Sequence, residues 1–441
     1  MHPPGRYGIL AAGAIRPTAA GHPEGTHVTR TPLDLSIRPD AAPWLTPAAY
    51  WSGLTDATRD LDPPVAALHL DALRHNTHDM LDRAAGTPIR VASKSLRVRG
   101  VLEAVLALPG YSGVLAYSLA EALWLAESID DVVVGYPSAD VAMIRRLGRS
   151  AERAGRVTLM VDSLDHLDFI DAVLPPASRE TIRVCLELDA SWYAPVLGRL
   201  GVWRSPVHTP EDARALAIGI VSRPGFELVG LMAYEAQVAG LVDRPAGRPV
   251  LGGVNRWVRT HSVVEITARR AAAVAAVRQV ADLEFVNGGG TGSLESTAAD
   301  SSVTDIAAGS GFFGGHLFDN FSGFQPAPAA AFARSVVRKP SMATATLLGG
   351  GWIASGPPGE DRTPRLAWPE GLSLVPREMA GEVQSPVTGA AARDLRVGER
   401  VWLRHAKSGE LSEHVNEFAL VHDGKVVDML PTYRGEGKAF L

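Results

Sequence analysis

The chain has 441 residues, 46% hydrophobic and 21% charged, with a formal net charge of −5. That length exceeds one compact core and predicts two domains, one large and one small. The small charge and the lack of any Lys/Arg run argue against nucleic-acid or membrane partners, which leaves a small molecule as the expected ligand.

Residues 1–30, rich in Pro, Gly and Ala, read as a flexible leader, because the apolar stretch Gly8–Ile15 is short for a signal sequence and has little positive charge before it. No apolar run approaches the roughly eighteen residues a membrane span needs. Residues 31–60 read as an extended N-terminal segment that joins a later β domain. From 61 to 330, short Val/Ile/Leu runs alternate with helical-period stretches, the pattern of a parallel sheet built from βα units. Strands are expected at 89–93, 114–117, 131–135, 158–162, 183–188, 227–233, 284–287 and 304–308, with another at 65–70 leading in. Helices are expected at 99–107, 119–127, 138–153, 164–173, 210–221 and 263–281. The strand count suits an α/β fold of the (β/α)8 TIM-like barrel type. A doubly wound open sheet competes, but its glycine-rich dinucleotide turn would follow the first strand, and none is there. Cys185, the only cysteine, sits in an apolar strand and can form no internal disulfide, which fits a buried residue in the cytoplasm. After about 330, turn signals such as Gly349-Gly350-Gly351, Pro357-Pro358-Gly359 and His422-Asp423-Gly424 mark a C-terminal β domain, 331–441.

Four features carry chemistry. A β-branched strand runs into Lys94, and an amine at the C-terminal mouth of a barrel strand, with apolar residues behind it, can be desolvated and made nucleophilic. Taken alone, such a lysine is more often a solvated strand end. Phe285-Val-Asn287-Gly288-Gly289-Gly290-Thr291-Gly292-Ser293 empties a strand into glycines and hydroxyls, where backbone N–H groups can approach a phosphate closely. It is no Walker loop, since no Gly-Lys-Ser/Thr follows. Ser310, in a second glycine segment after the next strand, can line the same mouth. Arg199, between Gly198 and Gly201, can aim a guanidinium at a ring oxygen or carboxylate. Tyr234 ends another strand at that mouth, where a core tyrosine is an equal alternative.

In this order and spacing, the four features resemble the alanine-racemase-like, fold type III pyridoxal-phosphate enzymes, and within them the D-threonine aldolase and D-serine dehydratase branch. The resemblance covers about residues 60–435. It implies that Lys94 holds pyridoxal 5'-phosphate, that Asn287 to Gly292 and Ser310 surround its phosphate, and that Arg199 and Tyr234 lie near its ring. It implies a lyase acting on β-hydroxy amino acids of D configuration, by retro-aldol cleavage or dehydration. It also implies a homodimer in which one subunit's β domain covers the other's barrel mouth. The Lys-Ala-Asn-Ala-Tyr-Gly-His signature of alanine racemases is missing after Lys94, which demotes racemization. Tyr433 is a candidate racemase acid/base by residue type only. A non-catalytic pyridoxal-phosphate carrier is the reading from another class, but carriers of that kind lack a C-terminal domain.

The branch binds a divalent metal through His-X-Asp or His-X-Cys after a Val-Gly-Asp-Arg-Val-like strand. Here Val397-Gly-Glu-Arg-Val401 leads to His405, and Lys407 stands in the second ligand's place. An ammonium has no lone pair for a metal. Either the metal is gone and Lys407 with His405 acts on the leaving hydroxyl, or it is kept through residues such as His414. The first is preferred, and no metal ligand is assigned.

Overall fold

The computed structural model describes residues 33–356 and 359–441. The expected leader and the Pro357-Pro358 pair lie outside them. Eight parallel strands close a barrel in the order Phe285–Gly288, Asp305–Ala308, Ile89–Ala92, Tyr111–Ala116, Val132–Val134, Val157–Val161, Ile182–Glu187 and Phe226–Ala233. Each of the eight expected barrel strands is present. Helices Arg99–Leu106, Leu119–Leu125, Leu164–Val173 and Pro210–Val221 lie between them, while the expected helix at 138–153 is split into Val141–Gly148 and Ala151–Arg156. Met160, Cys185, Val229 and Phe285 fill the barrel interior, so the barrel is a packed core with its opening at one end.

A nine-stranded, mainly antiparallel sheet forms the second part. It corrects two expectations. Val65–His69 does not lead into the barrel; it pairs antiparallel with Ala330–Ser341 and parallel with Glu417–His422. The 31–60 segment is not extended throughout, because Pro47–Ala57 is an α-helix with Pro at its start. Its Tyr50, Trp51 and Leu54 share one face at helical spacing and pack on Ala331, Ala333 and Trp402 of the sheet.

The long helix Pro249–Arg278 starts fourteen residues before the expected 263, since Gly252 and Gly253 mask its helical pattern. Among the described residues, no helix is long and apolar enough to cross a membrane.

Candidate active site at the barrel mouth

The C-terminal ends of the barrel strands open onto a cavity of about 450 Å³, a size suited to small molecules. Strand Ile89–Ala92 stops in a single 3-10 turn, Ser93–Ser95. The Leu96 and Arg97 N–H groups both donate to the Ser93 carbonyl at 2.9 Å, and Arg97 takes a φ of +53° to redirect the chain. Ser93 and Ser95 are thereby buried, while Lys94 is exposed in the cavity.

The C-terminal region of the same chain holds this turn from outside. Ser412 Oγ donates to Leu96 O at 2.6 Å, and the Tyr433 N–H donates to Arg97 O at 2.8 Å. Gly409 lies so close to the Lys94 carbonyl that a Cβ there would collide with it. The same close approach brings Lys407 into the cavity. Burial, with Lys94 nearby, holds the Lys407 ammonium below the usual lysine range.

Opposite the lysine, Gly289, Gly290, Thr291 and Ser310 line the wall. Gly289 needs its positive φ of 80°, and a Cβ on Gly290 would sit 2.8 Å from the Ala239 Cβ. The loop is anchored from beneath: Gly289 N–H donates to Glu235 Oε2 at 3.0 Å, and Thr297 Oγ1 donates to Glu235 Oε1 at 2.7 Å. Glu235 is paired with Arg270 at 3.2 Å, and Arg270 with Asp300 at 2.8 Å, all three buried. Thr291 Oγ1 accepts from Gly311 N–H at 3.1 Å and from Ser310 Oγ at 3.2 Å, which ties the two glycine segments together.

The floor holds two groups that sequence reasoning missed. The Arg204 guanidinium lies 5.5 Å from the Tyr136 ring and 5.8 Å from the Tyr234 ring. Beside it, burial pushes the Glu187 carboxyl up to about 7 despite the Arg204 charge. Tyr234 itself is pushed up to about 12 by burial, so it stays a neutral hydrogen-bonding phenol.

Of the expected site residues, Lys94, Tyr234, Gly289, Gly290, Thr291, Ser310 and Lys407 line the cavity. Five do not. Arg199 lies on the small hairpin Trp192–Ala194/Gly198–Leu200, where Asp189 at 2.7 Å and Ser191 at 2.9 Å hold it away. Asn287 is buried and donates to Asp305 Oδ1 at 2.8 Å. Gly288 packs on Arg270, and Gly292 on the Ala239 carbonyl. His405 is buried behind the cavity wall, its ring edge-on to Phe313 at 6.5 Å. Burial holds its imidazole below the usual histidine range, with Glu410 opposing. Tyr433 is no open acid/base either, since its hydroxyl is buried on Glu121 at 2.9 Å.

Fold and site together define an eight-stranded α/β barrel whose lysine-bearing mouth is covered by a strand-rich C-terminal part. The chain belongs to the alanine racemase N-terminal domain family, whose model matches residues 68–311. It is 26% identical to 3-hydroxy-D-aspartate aldolase of Paracoccus denitrificans (strain Pd 1222), across 57% of this chain and 60% of that relative. It thus spans about 60% of that relative's length. It is 25% identical to D-threonine aldolase of Arthrobacter sp, across 72% of this chain and 76% of that protein. Among solved structures, D-threonine aldolase from Filomicrobium marinum superposes with a TM-score of 0.70 at 20% identity, covering 85% of this chain and 96% of that one. D-threo-3-hydroxyaspartate dehydratase from Delftia sp. HT23 gives 0.62 at 19% identity, covering 84% and 97%. At these identities the structural likeness concerns the fold.

Proposed function

We propose that this protein is a pyridoxal-phosphate-dependent lyase of β-hydroxy D-amino acids. The observation that carries the reading is that one cavity gathers the Lys94 amine, the glycine wall and Lys407. Pyridoxal phosphate fits these residues. Lys94 offers an exposed amine for a Schiff base, the Gly289–Thr291 wall admits no extra Cβ at Gly290, and Thr291, Ser310 and Tyr234 offer hydroxyls. Bound there, the cofactor would supply an electron sink for a carbanion at Cα. Thr291 and Ser310 would bind its phosphate, with Tyr234 beside its ring. Arg204, in place of Arg199, would be the guanidinium that orients a carboxylate or ring oxygen. The freed Lys94 amine would carry the Cα proton in the elimination branch.

A divalent metal does not fit the aligned pair, because Lys407 contributes an ammonium and His405 is buried outside the cavity lining. Lys407 is the group we assign to the substrate hydroxyl, holding or delivering a proton there. As a proton donor it favours loss of hydroxide; as an acceptor it favours Cα–Cβ cleavage. The named relatives include both aldolases and a dehydratase.

The same reading takes the protein as cytoplasmic, from its single buried cysteine. It also takes it as a homodimer, a state that the exposed apolar Trp203, Val196, Leu197 and Val254 suit.

Purified holoenzyme assayed with D-threonine, D-serine and 3-hydroxy-D-aspartate tests the activity: aldehyde or α-keto acid release is expected, and inversion alone or no turnover refutes it. Elemental analysis of protein purified without chelator should find no stoichiometric divalent ion. Lys94→Ala should abolish the borohydride-reducible cofactor adduct.

A further inference from the structure

Behind the Lys94 turn lies a buried carboxyl that the reaction above does not use. Glu121, in the first turn of helix Leu119–Leu125, is fully buried. Its Oε2 accepts from the Tyr117 N–H at 2.7 Å, and its Oε1 meets the Tyr433 hydroxyl at 2.9 Å. The Ser93 hydroxyl, one residue before Lys94, faces the same carboxyl and donates to Leu115 O at 3.1 Å. Tyr433 is fixed in turn by its N–H on Arg97 O and by its ring edge-on to Trp124 at 4.9 Å. Arg97 Nε donates to the Lys94 carbonyl at 3.1 Å. The contacts therefore close a ring around the lysine turn through Ser93, Glu121, Tyr433 and Arg97.

Such a glutamate has an ordinary duty as a helix cap, and here Ser118 Oγ accepts from the Glu121 N–H at 3.3 Å. Capping occupies only the oxygen on Tyr117. The other oxygen is spent on Tyr433, out of reach of water. Of the groups around the carboxyl, the Tyr117 N–H and the Tyr433 hydroxyl are neutral donors, Ser93 is a neutral hydroxyl, and Arg97, the one cation among them, is already paired with Glu413. Burial accordingly pushes Glu121 up to about 7.

We propose that Glu121 is a positioning residue for Lys94: its carboxyl fixes the Ser93–Ser95 turn through Ser93 and Tyr433, and its protonation state sets how the lysine amine meets the cavity. The proposal rests on Lys94 as the cofactor lysine. Protonated, Glu121 has a proton for Ser93, whose own hydrogen goes to Leu115. Ionised, it attracts the Arg97 guanidinium, which also holds the Lys94 carbonyl.

Glu121→Gln and Tyr433→Phe, prepared as full-length holoenzyme, test this. The wild type should show a step near neutral pH in the visible absorbance of the lysine-linked cofactor. Its kcat should fall about tenfold one pH unit above the step, with KM unchanged. Glu121→Gln should lack the step and stay within about twofold over that range. Tyr433→Phe removes a donor to the carboxylate while keeping the ring, so its step should move to higher pH; it decides alone if Glu121→Gln does not fold. A step that persists in Glu121→Gln or stays put in Tyr433→Phe, with only the melting temperature changed, would make Glu121 a plain helix cap and overturn the proposal. A reducible adduct surviving in Lys94→Ala would instead remove the lysine reading, whatever the step does.

Discussion

Arg270→Met should unsettle the glycine wall from beneath. Arg270 is 1% exposed and donates to Asp300 Oδ2 at 2.9 and 2.8 Å and to Glu235 Oε2 at 3.2 Å. Methionine fills most of the volume but leaves two buried carboxylates facing each other without a cation. Breaking a buried ion pair in this way costs about 3–5 kcal/mol. With an unfolding entropy of about 2.1 cal/mol/K per residue over about 400 residues, that lowers Tm by about 4–6 °C. Urea melts of the variant beside the wild type measure the loss. Because Glu235 also accepts the Gly289 N–H, cofactor retention should weaken in parallel. A loss below about 1 kcal/mol would refute a wall supported by this ion network.

Gly290→Ala places a methyl 2.8 Å from the Ala239 Cβ, well inside contact distance. Overpacking of about 1–3 kcal/mol at a cofactor wall predicts pyridoxal-phosphate affinity weaker by about 5–150-fold in a spectroscopic titration; unchanged affinity would put the phosphate elsewhere. Glu187 supplies a second pH test, since its folded value near 7 lies above its ordinary 4.5. As pH rises between those values the unfolded chain releases its proton first, so the wild type loses up to roughly 3 kcal/mol. Glu187→Gln should remove that slope in melts across the range, and an unchanged slope would show that Glu187 titrates normally.

The barrel was legible because each of its strands carries a short local apolar stretch between helical-period segments, and parallel strands buried on both faces need no alternation. Val65–His69 carries the same local signal, yet it pairs with residues more than 250 positions away, and a local pattern cannot distinguish that partner from a barrel neighbour. Lys94 and the Gly289–Thr291 wall were readable for a related reason: each lies at the end of its own strand, so chain order fixes its place. Arg199 was misread because a short hairpin separates it from its strand. Asp189 and Ser191, at that strand's end, capture its guanidinium. Arg204, five residues on, reaches the floor because Ser205 Oγ donates to Glu187 O at 2.7 Å and anchors the chain over the strand end. An acceptor already waiting beside the strand was the available signal against Arg199.

His405 and Lys407, two residues apart, take different surroundings in the fold. Both lie past the end of strand Arg400–Arg404, where the chain bends and is no longer extended, so the two need not share a face: Lys407 lines the cavity and His405 is buried. His405 O accepts from the His316 N–H at 3.0 Å, and Ala406 O from the Leu317 N–H at 2.9 Å, which pins this segment against the end of the barrel. Gly409 then brings the following turn onto the Lys94 carbonyl. The two lysines are therefore held in register by backbone contacts of one chain, and no shared ion is required to set their relation. That arrangement keeps Lys407 and Lys94 on one cavity. It also explains why substitutions at Gly409 should disturb Lys94 and Lys407 together.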